Sequence, residues 1–227
     1  MSSETRYAVY WAPERDALLW AAGCDWLGRD PERDVVATNL RPGTREPRRY
    51  GFHATLTAPM HLAHDADEST LFAALERLSA RTVRFTMPVL EVAILRNFVA
   101  LLSAHPLAAA HPLRRLADAC VNELDGVLRL PRAMDMQRRL QSQSLDSREA
   151  ALLKRWGYPY VFDRWQFHLT LSDPLQDRAT RARLISAAQD HFAQALVAPT
   201  MCASVSVFTE RTPGAPFALA HRFMLAR

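Results

Sequence analysis

Two histidines of this chain lie inside the same short phrase, which occurs twice. Residues 52–59 are Phe-His-Ala-Thr-Leu-Thr-Ala-Pro, and residues 167–174 are Phe-His-Leu-Thr-Leu-Ser-Asp-Pro, so His53 and His168 occupy equivalent positions. An internal repeat of this kind indicates a duplicated structural unit. Because imidazole titrates near neutral pH, a pair of histidines can supply a general base and a general acid to one reaction.

The residues around each histidine alternate between polar and apolar types. In a β-strand, alternate side chains point to opposite faces, so each phrase would have one polar and one apolar face. The polar faces would carry His53, Thr55 and Thr57 in the first copy, and His168, Thr170 and Ser172 in the second. We therefore predict that the two polar faces turn inward and line one pseudo-twofold cleft.

This arrangement suits attack of water at phosphorus. One neutral histidine would take a proton from the water, and the other, as imidazolium, would give a proton to the departing oxygen. Thr55 and Thr170, each one side-chain step from a histidine, would hold the other phosphate oxygens. The chemistry needs no metal or cofactor. Which of His53 and His168 is the acid remains open, because the two motifs are nearly equivalent.

The two motifs His53-Ala54-Thr55-Leu56 and His168-Leu169-Thr170-Leu171 resemble the paired His-x-Thr/Ser-x signature of the two-histidine (2H) phosphoesterase superfamily. The resemblance extends over most of the chain and implies an α+β, LigT-like fold, with duplicated helix–strand units and antiparallel sheets around a central cleft. Members act on cyclic phosphates of nucleotides or RNA, on ADP-ribose cyclic phosphate, on 2′-5′ linkages or on RNA ends, typically without metal.

A wider context resembles one bacterial branch of that superfamily, encoded among phosphonate (carbon–phosphorus lyase) genes. The resemblance is carried by residues 48–56, Arg-Arg-Tyr-Gly-Phe-His-Ala-Thr-Leu, and residues 156–161, Trp-Gly-Tyr-Pro-Tyr-Val. It implies a cyclic phosphate sugar as substrate, such as the ribose 1,2-cyclic phosphate made in phosphonate breakdown.

Further candidate substrate contacts precede the two motifs. The segment Arg41–Arg49 contains four arginines and is either a solvated loop or a rim that attracts anions. Tyrosines before each motif either pack or stack on a base. We predict that Arg49, Tyr50 and Tyr160 contact substrate. No metal site is predicted, since the spacing of the nearby His61 and His64 fits no zinc pattern.

The surrounding pattern predicts the elements that position these residues. A strand is expected at Arg6–Trp11, a helix from Pro13 to about Leu27, and mostly loop over residues 28–50. Asp67 is expected to cap a helix, and two or three strands are expected over Val83–Ser103.

The second half repeats the order helix, histidine strand, helix and strand pair. The expected elements are a helix at Pro112–Leu124, a helix from Asp146 to Trp156, a long helix capped by Asp173 or Asp177 and ending near Leu196, and strands at Met201–Phe208 and Phe217–Leu225. Leu128–Gln143 is left unassigned, and whether it or Arg41–Arg49 forms a lid is open. We predict one α+β domain, residues 1–227, with two pseudo-symmetric lobes.

Composition is that of a soluble globular protein, with 49% hydrophobic residues, 23% charged residues and a net charge of +4 over 227 residues. Cys24, Cys120 and Cys202 form no Cys-x-x-Cys pair, which favours a reducing, cytoplasmic location. No membrane association is predicted. The expected partner is a small phosphate ester; RNA is an alternative that is not favoured, and the oligomeric state is not predicted.

The sequence therefore predicts a metal-independent cyclic phosphodiesterase, with phosphonate catabolism as the expected context. One alternative is an RNA-end or 2′-5′ phosphodiester-processing enzyme of the same fold. A strongly basic, aromatic-lined surface would favour this alternative. Another is a non-catalytic nucleotide-binding module that kept the cleft. Loss of a histidine or threonine would indicate that module, and all four are present.

Overall fold

A computed structural model of the protein describes residues 5–142 and 144–227, so that Gln143 lies outside the described residues. The helices are α1 (Leu18–Leu27), α2 (Arg45–Tyr50), α3 (Glu68–Ala80), α4 (Pro112–Glu123), α5 (Ala133–Ser142), α6 (Ser147–Trp156) and α7 (Arg178–Phe192). The strands are β1 (Arg6–Trp11), β2 (Arg29–Asp30), β3 (Val35–Val36), β4 (Ala54–Leu62), β5 (Phe85–Thr86), β6 (Leu90–Leu95), β7 (Phe98–Ser103), β8 (Leu128–Arg129), β9 (Leu169–Thr170), β10 (Met201–Cys202), β11 (Ser204–Glu210) and β12 (Ala218–Met224).

The histidine strands β4 and β9 are neighbours at the centre of one antiparallel sheet. The strand order is β12-β11-β1-β4-β9-β7-β6, and β8 pairs with the far end of β4. Two short pairs, β10-β5 and β2-β3, lie outside this sheet. The α+β architecture with antiparallel sheets is confirmed, and the two histidine motifs lie on adjacent inner strands of the main sheet.

The two lobes are not the two halves of the sequence. The hairpin β6-β7 follows β4 along the chain but pairs with β9, whereas β11-β12 follows β9 but pairs with β1, next to β4. The helix that follows each histidine strand stays in that strand's lobe, since α3 packs on β11 and β12 and α7 packs on β6 and β7. Each half thus gives its hairpin to the other lobe, and the lobes share one hydrophobic core.

Local signals account for most helix ends. Asp67 and Thr70 form a capping box at α3, and Asp146 and Glu149 form another at α6. Gly157, with a φ of 73°, ends α6 as predicted.

Several expected boundaries were wrong. α1 begins at Leu18, not at Pro13, and α7 ends at Phe192. The stretch 28–50, expected to be mostly loop, contains β2, β3 and α2. Asp177 caps α7, whereas Asp173 accepts hydrogen bonds from the backbone N–H groups at the start of α2.

The apolar face of each phrase is buried as predicted. Ala54 and Leu56 in the first copy, and Leu169 and Leu171 in the second, are at most 1% exposed. Phe52 is fully buried against α1 at Gly23, where any side chain would clash with the ring of Phe52. No helix in the described ranges is long and apolar enough to cross a membrane.

Candidate active site

The register of the two histidine strands brings the four motif residues together. Ala54 pairs with Leu169 in antiparallel orientation. Continuing that register by one residue sets His53 opposite Thr170, and Thr55 opposite His168. All four side chains point away from the buried Ala54–Leu169 face. The histidines are therefore diagonal neighbours, a relation in which residues lie roughly 7–8 Å apart in a typical sheet.

Both imidazoles are oriented by the same hydrogen bond. His53 Nδ1 lies 2.9 Å from the carbonyl oxygen of Gly51, and His168 Nδ1 lies 2.8 Å from that of Gln166. A carbonyl can only accept, so Nδ1 carries the proton and Nε2 is the free nitrogen of the neutral ring. Gly51 adopts a φ of 81°, and a side chain there would approach Pro31 to 2.7 Å, so glycine is required beside His53.

The first hydroxyl of each motif lies in the cleft. Thr55 Oγ1 is 3.4 Å from His53 Nε2, and Thr55 and Thr170 are both half-buried. Thr55 and Thr170 both line one cavity together with His53. They are placed to donate hydrogen bonds to a tetrahedral anion.

The second hydroxyl of each phrase has another task. Thr57 Oγ1 accepts the backbone N–H of Val9 at 3.1 Å, and Ser172 Oγ accepts that of Val99 at 2.9 Å. Both side chains are at most 3% exposed. The two hydroxyls of each polar face therefore have different roles. The second accepts a hydrogen bond from the neighbouring strand, and the first lines the cleft.

Two indole groups hold the motif backbones. Trp165 Nε1 donates to the carbonyl oxygen of Thr55 at 2.9 Å, and Trp26 Nε1 donates to that of Leu171 at 2.8 Å. Trp165 comes just before the second motif, so its bond ties the segment leading to His168 onto the first histidine strand. Each motif is thus fixed by an indole hydrogen bond in addition to its strand pairing.

Two adjoining cavities form the cleft. The His53 cavity, of about 340 Å³, contains His53, Thr55 and Thr170 in its wall. The His168 cavity, of about 210 Å³, contains His168 and again Thr55. Phe98 and Tyr158 also line both cavities.

His53 lies in an aromatic environment. Its ring stacks on Tyr10 at 3.7 Å between centroids, with Phe208 6.0 Å away. Burial lowers the pKa of His53 to about 4; the hydrogen bond to Gly51 opposes this, and the charge of His168 lowers it further. The free protein therefore holds His53 as neutral imidazole at neutral pH.

His168 has a different neighbour. Burial lowers the pKa of His168, the hydrogen bond to Gln166 opposes this, and the positive charge of Arg96 lowers it further. Both histidines therefore favour the neutral form in the free protein. An anionic phosphate between the rings would raise both pKa values, because an opposite charge stabilises imidazolium.

A family model described as "Protein of unknown function (DUF1045)" matches residues 55–218, which is more than half of the chain. The chain belongs to the DUF1045 family. DUF1045 is a 2H family associated with phosphonate genes, so the expected superfamily and branch are confirmed.

Two curated relatives carry the name ribose 1,5-bisphosphate phosphokinase PhnN. The protein of Janthinobacterium sp. (strain Marseille) is 36% identical over 229 residues, covering 95% of this chain and 49% of the relative. The protein of Laribacter hongkongensis (strain HLHK9) is 36% identical over 221 residues, covering 94% and 50%. This DUF1045 chain spans about half the length of the curated relatives that it matches.

Among solved structures, E. coli LigT complexed with 3′-AMP superposes with a TM-score of 0.50 over 100% of both chains, at 13% identity. At that identity the similarity establishes the fold alone. The LigT-like fold expected from the paired motifs is therefore confirmed for this DUF1045 chain.

Of the other three predicted substrate contacts, the two tyrosines line the cleft and the arginine does not. Tyr50 lines the His53 cavity and Tyr160 lines the His168 cavity. Arg49 points elsewhere, since its guanidinium pairs with the buried carboxylate of Glu210, which also binds Arg6. The guanidinium of Arg49 is thus part of the packing behind Tyr50.

Two of the other three arginines before the first motif also make structural contacts. Arg48 donates to the carbonyl oxygen of Leu27 at 2.7 Å, and Arg41 lies over the ring of Trp26 at 3.8 Å. Glu46 and Pro47 of α2 line the His53 cavity, so this segment contributes a wall through those two residues.

Sequence reasoning missed two residues of the cleft. Tyr10 gave no signal, because its contact with His53 joins residues far apart in the chain. Arg96 lies within Val83–Ser103, where only strands and a turn between them were expected; its φ of 55°, unusual for a residue other than glycine, becomes visible only in the structure. Within the described residues no group of three or more His, Cys, Asp or Glu side chains is placed to hold a metal ion; metal independence stays a prediction.

Proposed function

We propose that this protein hydrolyses a small cyclic phosphate diester of ribose or of a nucleotide by acid–base catalysis with His53 and His168. Its phosphoesterase-type fold supports a phosphodiesterase activity, and the cyclic substrate is our proposal. The observation that carries it is the antiparallel pairing of Ala54 with Leu169. Continued by one residue, this register sets each histidine opposite the threonine of the other motif.

The proposed reaction consumes one water. One neutral imidazole accepts a proton at Nε2 while the water oxygen forms a bond to phosphorus. The bond from phosphorus to one ring oxygen breaks, and the other histidine, as imidazolium, protonates that oxygen. The product is a phosphate monoester with a free hydroxyl group, and proton exchange with solvent resets both rings.

Thr55 and Thr170 would stabilise the charge that develops on the two non-bridging oxygens. Their hydroxyls sit on rigid strands, so little reorganisation is needed as the charge grows. By the register of Ala54 with Leu169, Thr170 lies opposite His53 and Thr55 lies opposite His168, while the hydroxyl of Thr55 is also 3.4 Å from Nε2 of His53 in its own motif. This explains why histidine and threonine occur together in both copies.

The proposed substrate is a ribose cyclic phosphate. A curated relative, 49% of which is matched by this chain, carries the name ribose 1,5-bisphosphate phosphokinase PhnN. Opening a ribose 1,2-cyclic phosphate at the 2-oxygen leaves a ribose 1-phosphate group, which is the kind of group that such a kinase takes. We infer that the kinase name belongs to the part of the relative that this chain does not match. A phosphate-binding G-x-x-x-x-G-K motif needs a glycine before its lysine, and Lys154, the only lysine in this sequence, follows two leucines.

One observation favours the RNA alternative. A groove of about 450 Å³, here called the arginine groove, borders the cleft at Pro59 and is lined by five arginines: Arg6, Arg129, Arg132, Arg138 and Arg139. β8 and α5, the segment left open as a lid, form part of its wall. A basic groove beside an active site could hold a nucleic-acid backbone.

The test is turnover of a panel of cyclic phosphates in the presence of EDTA, followed by ³¹P NMR. We expect ribose 1,2-cyclic phosphate or a nucleoside 2′,3′-cyclic phosphate to be opened to a monoester, and His53→Ala to abolish most of this. His105→Ala, at an exposed histidine outside the cleft, is the control.

Cleavage of 2′-5′ oligonucleotides alone, suppressed by Arg132→Ala, would support the RNA alternative. Binding of nucleotides without turnover would support the non-catalytic alternative, and loss of activity with EDTA would refute metal independence.

A further inference from the structure

Arg96 has an unusual backbone position. It lies in the turn between β6 and β7, with a φ of 55°. An arginine in this left-handed region is disfavoured relative to glycine, because its Cβ crowds the backbone. A strained residue at the wall of a candidate active site suggests that its side chain has a function there.

The guanidinium of Arg96 is positioned by Tyr160. Its Nη1 donates to the hydroxyl oxygen of Tyr160 at 3.1 Å, and the group lies over that ring at 4.7 Å. The ion pairs found among the described residues include none with Arg96. Glu149 is the carboxylate whose charge acts on Arg96, but it accepts a hydrogen bond from the backbone of Asp146.

The positive charge of Arg96 therefore faces the His168 cavity without an ion-pair partner among the described residues. The neighbouring Arg164 lines the same cavity but pairs with Asp146. Arg96 is close enough to His168 to lower the pKa of that imidazole. Since Thr55 lines both cavities, a substrate held between the histidines could extend into the cavity that Arg96 lines.

The same cavity is less suited to a nucleobase. The face of Tyr160 is covered by Arg96, and its ring packs edge-on against Tyr158 at 5.4 Å. Trp165 is 7% exposed and donates its indole N–H to Thr55. These two aromatic rings are thus already in use. The volume of about 210 Å³ is also below the ~300–1,000 Å³ of sites that hold a whole ligand, so a substituent fits better.

We propose that the His168 cavity is a subsite for a second phosphate group of the substrate, and that Arg96 is its counter-ion. This inference rests on the proposed function and narrows it, because the substrate becomes a sugar cyclic phosphate that carries another phosphate on the same sugar. The planar guanidinium can bind such a group through two parallel N–H donors. The hydrogen bond that Arg96 donates to Tyr160 holds the guanidinium in place before substrate binds.

The experiment compares ribose 1,2-cyclic phosphate with and without a 5-phosphate as substrates. The wild type should favour the phosphorylated substrate by about 10–100-fold in kcat/KM, the range expected for hydrogen bonds to a charged group. R96G is the main variant, because glycine relieves the positive φ and so preserves the fold. It should cut the preference to about threefold or less, and R96K, which keeps the charge, should restore part of it.

Arg115→Ala is the control, at an exposed arginine on α4, and should leave the preference unchanged. Thermal melting of R96G checks that the fold persists. An equal loss on both substrates in R96G would overturn the inference and would assign Arg96 to the reacting phosphate. A wild type that does not distinguish the substrates would also overturn it.

A binding measurement separates this inference from the proposed function. Ribose 1-phosphate with and without a 5-phosphate would be titrated calorimetrically into the wild type and R96G. If neither cyclic substrate is hydrolysed but the 5-phosphate still strengthens binding through Arg96, the proposed function fails and the subsite stands. If hydrolysis occurs and the 5-phosphate strengthens neither binding nor turnover, the function stands and the subsite is wrong.

Discussion

The two histidine motifs have the same sequence pattern but lie in different surroundings. β4 is a nine-residue strand paired with β1 and β9, whereas β9 has only two residues. His53 stacks on the buried ring of Tyr10, and His168 lies near the charge of Arg96. The motif thus sets where each imidazole points, and the neighbouring elements set how readily it takes a proton.

The features that the motifs share are backbone features. Each histidine donates from Nδ1 to the carbonyl two residues before it, and each second hydroxyl binds the neighbouring strand. The features that differ come from residues outside the repeat. A duplicated site can therefore keep a symmetric frame while its two histidines become chemically unequal, as an acid and a base must be.

The largest expected effect tests whether both motifs are needed. His53→Ala and His168→Ala should each lower kcat by about 10²–10⁴-fold, the usual range for a general acid or base. Initial rates on the best cyclic substrate would measure this, beside His105→Ala as the control. If one of the two variants keeps wild-type activity, the motifs are not a catalytic pair.

Removal of the cleft hydroxyls should have a smaller effect. Thr55→Val and Thr170→Val keep the shape of the side chain and should lower kcat by about 10–10³-fold, because other donors share the charge on phosphate. Thr→Ser at either position should restore most of the rate. Wild-type rates in both valine variants would show that the hydroxyls do not contact the phosphate.

The pH profile should reveal the inequality of the histidines. The active pair carries one proton, and in the free protein both pKa values lie below the ordinary 6.5, with His53 at about 4. The kcat/KM should therefore fall as pH rises from about 6.5 to 8. Bound phosphate raises both pKa values, so the alkaline limb of the kcat profile should lie at higher pH than the alkaline limb of the kcat/KM profile. The fitted values belong to the coupled pair; coinciding alkaline limbs would contradict the proposal.

The smallest expected effect is on the pH dependence of the free energy of unfolding. The pKa of His53 is about 4 in the folded protein, below its ordinary 6.5, so the unfolded chain binds more protons between these values. The free energy of unfolding should therefore decrease as pH falls from about 6.5 to about 4. Urea denaturation across this range measures the slope. His53→Gln should give a shallower slope, and an unchanged slope would show that the burial of His53 does not penalise its charge.

Local patterns in the sequence were enough for the elements and for part of the site. The capping residues Asp67 and Asp146 predicted helix starts because a cap acts within one turn. Alternation in the two phrases predicted which side chains are buried, because strand geometry has a period of two. The orientation of Arg49 was not predictable, since it depends on Glu210, which lies 161 residues away.

The sequence by itself determined the repeated strand, its polar and apolar faces and the pairing of two histidines with two threonines. These follow from local backbone geometry and from comparing the chain with itself. Only the tertiary structure decided that the hairpins exchange between lobes, that Ala54 meets Leu169, and that Tyr10 and Arg96 flank the two imidazoles. Strand order, register and local electrostatics arise from packing between distant segments, and no nearby residue pattern encodes them.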